Sequence, residues 1–288
     1  MEPTLRLAPI SALPAPPILK ADGSVEAFSA ERLVSSLMRA GAPAHAAQEI
    51  AERIARSLLP NTTSKEIYRK AFTLLRKEAR PLAARYGLRR ALLELGPTGH
   101  PFEDFISHLY QREGWSVETR KIIQGKCVAH ETDFYASRAG EFMAAELKYH
   151  NDPGYKSDLK TALYVKSRFD DIFACDPNTR ACPIDRGILI TNTKFTSEAV
   201  KYAQCAGVEL LGWSYPAGAD LFERMSAAHT YPVTALTTLE GREKRLLISE
   251  GVIAVDQLPE RKETLRALHI EPERIGRIIA EAEALHAV

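Results

Sequence analysis

The stretch Cys127–His150, CVAHETDFYASRAGEFMAAELKYH, decides the fold. Its middle is apolar enough for a core, yet it carries Asp133 in one half and Glu146 and Lys148 in the other. Two strands joined by a two-residue turn at Ala139-Gly140 account for the pattern. Side chains alternate faces along a strand, so Glu131, Asp133 and Tyr135 share one face of the first strand. Glu146, Lys148 and His150 share one face of the second, while Met143, Ala145, Leu147 and Tyr149 point the other way. With the turn at 139–140, Asp133 stands directly opposite Glu146 and next to Lys148.

Two readings fit such a cluster. One is a plain cross-strand salt bridge. The other starts from the cost of two carboxylates a few ångströms apart, which raise one another's pKa and which a single lysine only partly relieves. A divalent metal removes that cost. Magnesium binds through one or two carboxylates together with water and a phosphate oxygen. It can activate water and stabilise charge developing on phosphorus, with the lysine acting on the water or the phosphate.

Outward from this hairpin the chain of 288 residues divides into four zones. Residues 1–16 are a proline-rich lead-in without the basic start and apolar core of a signal peptide. Residues 17–97 form a helical unit opened by a short hairpin, ILKADGSVEAF, with Asp22-Gly23 as its turn. Four helices are expected there: Ala30–Ala40 with Ser29 as N-cap, Ala44–Leu59 ended by Pro60, Ser64–Glu78 after NTTS, and Leu82–Leu95. The breaker cluster GPTGHP, Gly96–Pro101, marks the domain boundary. Residues 98–220 alternate helix and strand. A helix starts at Pro101-Phe102, and strands follow over Ser116–Ile122, Lys126–Ala136 and Glu141–Tyr149. Next come a helix over Lys156–Phe169, a buried strand RGILITNT, a helix TSEAVKYAQCAG closed by Gly207, and a short strand VELLGWS. Residues 228–288 read as short helices. The fold class is therefore α/β and multi-domain, a mixed sheet flanked by helices between two helical regions.

A net charge of +1 advertises no global basic field, so an anionic partner needs a local patch. No apolar run approaches the roughly 20 residues that span a bilayer, so no membrane partner is expected. The four cysteines form no C-x-x-C pair, which fits a reduced, cytoplasmic protein. A zinc site from Cys175, Cys182 and nearby histidines is the alternative use.

The order D-(x12)-E-x-K after a helix with a glutamate resembles the PD-(D/E)xK nuclease superfamily. GHPFEDFISHLYQREGWSVE, HETDFYA, ELKYH and ILITNTKFTSEAVKYAQCAGVELLGWS resemble its Mrr-like restriction endonuclease branch, over residues 98–216. That resemblance implies a restriction-endonuclease-like α/β/α core. It places Asp133, Glu146, Lys148 and Glu103 at the catalytic positions, with Asp133, Glu146 and the Leu147 carbonyl on Mg²⁺ or Mn²⁺. Thr132 stands before Asp133 where a proline is common. His130 and Glu131 flank the site, and Tyr155, Lys156 and Lys160 follow it on a surface that could meet phosphates.

ILKADGSVEAFSAERLVSSLMRAG with TTSKEIYRKAFTLLR and AARYGLRRALLELG resembles the ATP-cone, a nucleotide-sensing module. The resemblance implies contacts to ATP or a related nucleotide from Lys20, Asp22, Gly23, Glu26, Arg32, Thr63 and Tyr68. Ala21 replaces the family's usual second basic residue. LTTLEGREKRLLISEGVIAVDQL loosely resembles a helix-hairpin-helix, with Gly251 and Arg242, Lys244 and Arg245 toward a DNA phosphate. A small helical cap is the other reading of that region. Together these resemblances imply a Mg²⁺-dependent DNA endonuclease under nucleotide control, acting in restriction or defence as a homodimer or higher oligomer. The rival readings are a nucleotide-responsive DNA-binding regulator with an inactive nuclease fold, and a repair or RNA-directed nuclease.

Overall fold

The computed structural model describes residues 16–20, 23–173 and 184–287. Asp22 of the hairpin turn, and Cys175 and Cys182 of the zinc alternative, lie outside the described residues. The chain is α/β, with mixed sheets and helices, and divides into two compact units: the residues up to Gly87, and Leu88–Ala287.

The first unit opens with strand β1 (Pro17–Leu19), antiparallel to β2 (Val25–Ala27) and parallel to β3 (Thr62–Thr63). Helix α1 (Ala30–Arg39) starts where the Ser29 hydroxyl accepts the Arg32 N–H at 3.1 Å. Helix α2 (Ala44–Arg56) stops three residues short of the expected Leu59. Its end is Ser57, whose hydroxyl turns back onto the Ile54 carbonyl at 2.9 Å. Helix α3 (Ser64–Glu78) begins with a reciprocal capping box between Thr63 and Glu66. Apolar residues at helical spacing, Leu33 and Leu37, Ile50 and Ile54, Ile67 and Leu75, close on Ile18 as one core.

The expected fourth helix is two helices. Helix α4 (Arg80–Tyr86) ends at Gly87, and α5 (Leu88–Leu93) belongs to the second unit. The compact units therefore part after Gly87 and not at Gly96–Pro101, and residues 88–97 go with the sheet. One tie is the Thr234 hydroxyl, which donates to the Ala91 carbonyl of α5 at 2.6 Å in a buried position.

The second unit continues with α6 (His100–Arg112), β4 (Ser116–Gln124), β5 (Ala129–Arg138) and β6 (Glu141–Lys148). Then come β7 (Lys156–Ser157), α7 (Leu159–Phe173), β8 (Arg186–Thr191), β9 (Lys194–Phe195), α8 (Ser197–Ala206) and β10 (Glu209–Leu211). The helix expected from Lys156 starts later, because Lys156–Ser157 pairs with β9 and the Asp158 carboxylate caps the helix at the Thr161 N–H, 3.0 Å away. The five-stranded sheet runs β10-β8-β6-β5-β4, antiparallel from β4 to β6 and parallel from β6 to β10. Tyr110 of α6 packs on Phe134 from one side. Val165 and Phe169 of α7 and Ala199 and Ala203 of α8 pack with Tyr135, Ala144 and Leu189 in a separate core.

The C-terminal elements are α9 (Leu221–Ala227), a 3₁₀ turn Val233–Ala235, α10 (Gly241–Ser249), a 3₁₀ helix Val255–Glu260, α11 (Lys262–Ala267) and α12 (Pro272–His286). They belong to the same compact unit as the sheet. His108 of α6 meets Asp256 at 2.9 Å, and Arg224 of α9 donates to the Tyr110 hydroxyl at 2.9 Å. The Lys244 ammonium, expected to face phosphate, donates inward to the Thr234 carbonyl at 2.6 Å, and burial pulls its pKa down. Gly251 follows α10 in the left-handed region.

The close approach of α7 to β8 depends on Gly187. A Cβ built there falls 2.3 Å from the Phe169 ring. Gly187→Ala is expected to destabilise the chain by about 1–3 kcal/mol through overpacking, measured as a lower denaturant midpoint. Gly187→Ala with Phe169→Leu should recover part of that loss.

Candidate active site on the β5–β6 hairpin

The site begins with a turn. Ala139 and Gly140 both have positive φ, 50° and 83°, the signature of a type I′ hairpin whose twist suits its strands. The register that follows pairs Arg138 with Glu141 and runs to Phe134 with Ala145. One step further, Asp133 stands across from Glu146. The Asp133 carboxylate accepts the Leu147 N–H at 2.5 Å, which locks its side chain against the second strand.

Glu146 is 4% exposed and is held by two cations. Lys148 donates to its Oε1 at 2.6 Å, and Arg168 of α7 donates to its Oε2 at 2.5 Å. The same guanidinium also donates to the Glu131 carbonyl. Burial raises the Asp133 pKa to about 6, the neighbouring Glu146 charge adds to it, and the Leu147 hydrogen bond opposes it. Burial likewise raises Glu103, with His100 and Arg120 opposing and Asp104 and Glu146 adding.

Glu103 reaches this group from the first turn of α6. Its neighbour Phe102 packs on Tyr149, with ring centroids 5.7 Å apart, directly after Lys148. The Tyr149 hydroxyl is fixed by the carbonyls of Leu93 and Gly96, both at 2.7 Å. On the other flank of β6, Thr191, Asn192 and Thr193 are fully buried. The Thr191 hydroxyl donates to the Lys148 carbonyl at 2.7 Å, and Asn192 pairs with the His150 backbone at 2.8 and 2.9 Å. The polar end of ILITNT thus holds the strand exit that presents Lys148.

Asp133, Glu146, Lys148 and Glu103 therefore converge, and the Leu147 backbone lies among them. Two further residues escaped the sequence reading. Arg168 is 22 positions from Glu146, and only the packing of α7 brings it there. Arg120 lies between the pairs Thr119–Phe134 and Lys121–Thr132, across from Asp133, with φ of 52°. That conformation costs a non-glycine residue about 1–2 kcal/mol. The guanidinium lies 3.9 Å from both Glu103 and Asp104. The positive φ is a backbone feature with no sequence signal.

Other expected residues have other roles. His130 is fixed to Asp171 of α7 at 2.8 Å. Tyr155 is exposed and lies against the His150 ring, with centroids 4.0 Å apart. Lys156 and Lys160 are exposed. In the helical unit, Glu26 bridges Lys20 at 2.7 Å and Arg32 at 3.2 Å. The pairing of Leu19 with Thr63 brings that residue to the same strand ends. Gly23 closes the hairpin turn by donating to the Lys20 carbonyl at 3.1 Å. Tyr68 stacks instead on Tyr86, with centroids 5.3 Å apart.

Among the described residues no group of three or more His, Cys, Asp or Glu side chains is arranged to hold a metal ion. The donor set near the end of β6 is instead two carboxylates, Asp133 and Glu146, with the main chain of Leu147. That set suits a hard, oxygen-seeking divalent cation completed by water. No helix among the described residues is long and apolar enough to cross a membrane.

The family description "AF1548-like, C-terminal" matches residues 231–286. The chain is 33% identical over 178 residues to an uncharacterized protein of Archaeoglobus fulgidus, covering 62% of this chain and 98% of that protein. It is also similar to a solved structure described as "Crystal Structure of Protein of Unknown Function AF1548", with 30% identity and a TM-score of 0.53. That match covers 66% of this chain and 99% of the other.

The raised Asp133 pKa has a thermodynamic sign. Below the ordinary value of 3.8 the carboxyl is protonated whether the chain is folded or not. Between that value and about 6 the folded state holds its proton more tightly, so stability falls as pH rises through this window. In metal-free buffer Asp133→Asn should melt higher than the parent at pH 7.5, by the equivalent of about 1–2 kcal/mol. The two should converge near pH 3.5. Thermal melts at both pH values measure the difference.

Proposed function

The chain belongs to the AF1548-like family, and we propose that it is a Mg²⁺- or Mn²⁺-dependent DNA endonuclease whose activity or assembly responds to ATP or a related nucleotide. The reading rests on one observation: Asp133, Glu146 and Lys148 meet on one face near the end of β6, with the Asp133 carboxyl raised to about 6. A pure binding protein gains nothing from aiming two carboxylates at phosphates. The order of sheet strands and flanking helices suits the PD-(D/E)xK, Mrr-like reading of residues 98–220. The hairpin and helices of residues 17–97 suit the ATP-cone reading.

Asp133, one oxygen of Glu146 and the Leu147 carbonyl would hold the metal. When bound, the ion supplies an activated water and stabilises charge on phosphorus. The protein side chains divide the remaining work. Arg168 holds Glu146 Oε2, leaving Oε1 to be exchanged between Lys148 and another cation. Lys148, with a third of its side chain exposed, can turn its ammonium to the attacking water or to a phosphate oxygen. Glu103 lies close enough for its charge to raise the Asp133 pKa and for the Glu146 charge to raise its own, and the Arg120 guanidinium stands 3.9 Å from it. In the helical unit a nucleotide would draw Lys20 and Arg32 away from Glu26. Cutting both strands of a duplex calls for two sites, hence a homodimer or larger oligomer in a cytoplasmic setting, with restriction or defence as its role.

Lys148→Ala and Asp133→Asn should each lower Mg²⁺-dependent cleavage of plasmid DNA by at least about 100-fold, with circular dichroism unchanged. Cleavage by either variant at the parent rate would overturn the assignment. Methylated plasmid, linear duplex and RNA as parallel substrates, each with and without ATP, define the substrate and the effector.

A further inference from the structure

The helical unit carries a feature that the nuclease reading does not use. A cleft of about 500 Å³ lies between the C-terminal half of α2, the loop after it and the first turns of α3. Three cations, Arg53, Arg69 and Lys70, line it beside a single carboxylate, Glu66. Among the described residues Arg53 and Arg69 form no ion pair, whereas Arg56, close by on α2, is held by Glu52 at 3.1 Å. Glu66 is occupied as the capping partner of Thr63, accepting its N–H at 2.7 Å and its hydroxyl at 2.8 Å.

The small polar groups of the cleft are turned inward. The Ser57 hydroxyl donates to Ile54, Thr62 to Leu59 and Thr73 to Arg69, each to a backbone carbonyl at 2.7–2.9 Å. Lys70 is steadied by the Ser57 carbonyl and hydroxyl at 3.2 and 3.1 Å. The donors left for a ligand are therefore the two guanidiniums and the remaining hydrogens of the ammonium, a set selective for anions. The rest of the lining is apolar. Ile54 and Leu74 lie along the cleft, and Leu59 stands beside it with 71% of its surface exposed. The surroundings share the sign: the described residues up to Gly87 hold twelve Lys and Arg against six Asp and Glu, although the whole chain is +1.

We propose that this cleft is a ligand site for a nucleoside polyphosphate, separate from the hairpin cluster of Lys20, Glu26 and Arg32. The phosphates meet Arg53, Arg69 and Lys70, and the base lies against Leu59 and Leu74. The volume falls within the range of small-molecule sites, about 300–1,000 Å³.

The test is calorimetric titration of the full chain with ATP, with tripolyphosphate and with a short duplex DNA. With the hairpin contacts removed by Lys20→Gln and Arg32→Gln, ATP should still bind, and adding Arg69→Gln with Lys70→Gln should raise its Kd at least tenfold. Absence of ATP binding in that background overturns the proposal, as does a Kd that the Arg69 and Lys70 changes leave unmoved. Tripolyphosphate binding as tightly as ATP removes the role of the apolar wall and overturns the nucleoside assignment. Binding of duplex DNA alone would make the cleft a nucleic-acid surface and overturn it too. Should the Arg69, Lys70 pair of changes lower the unliganded melting temperature, Arg53→Gln carries the same comparison. Plasmid cleavage is scored separately, so failure here is distinguishable from failure of the nuclease reading.

Discussion

The constraint on which the candidate site depends is the register of the β5–β6 hairpin. A turn of two residues with positive φ fixes that register, and the register alone puts Asp133 across from Glu146. A slip of one residue would send one carboxylate to the opposite face of the sheet. The Leu147 N–H bound to Asp133 adds a second lock at the same point. With the strands so fixed, burial and like charge follow, and both push the Asp133 carboxyl upward.

Around that hairpin the rest of the unit acts as a frame. Gly187 lets α7 lie against β8, and this places Arg168 on Glu146. Tyr149 ties the exit of β6 to the chain before α6, and thereby sets where Glu103 begins its approach. Thr191 and Asn192 hold the other side of the same exit. A buried ion pair of this kind is a weak source of stability, because desolvation offsets much of its attraction. Its value is in geometry: a carboxylate with one oxygen held by Arg168 and the other held by a lysine free to move.

Legibility in the sequence followed the range of the interactions. The hairpin, its faces and the capping residues Ser29 and Thr63 are set by neighbours a few positions away, so alternation and cap chemistry reveal them. Arg168 and Arg120 are not legible, because one arrives through helix packing and the other through an unusual backbone angle. The split at Gly87 was hidden by the strong breaker cluster at Gly96–Pro101. Which unit claims α5 depends on a buried contact from Thr234, far along the chain. Lys244 misled for a similar reason: its carbonyl partner lies ten positions back, at the 3₁₀ turn before α10.

The central claim is that Asp133 and Glu146 form a site on the β5–β6 hairpin whose charge calls for a cation. The most direct measurement is a carbon-13 NMR titration of the Asp133 carboxyl, assigned with Asp133→Asn, in chelator and in Mg²⁺. The account calls for a midpoint near 6 without metal and a clear fall on adding Mg²⁺. A midpoint near the ordinary 3.8 that Mg²⁺ leaves unmoved would contradict it.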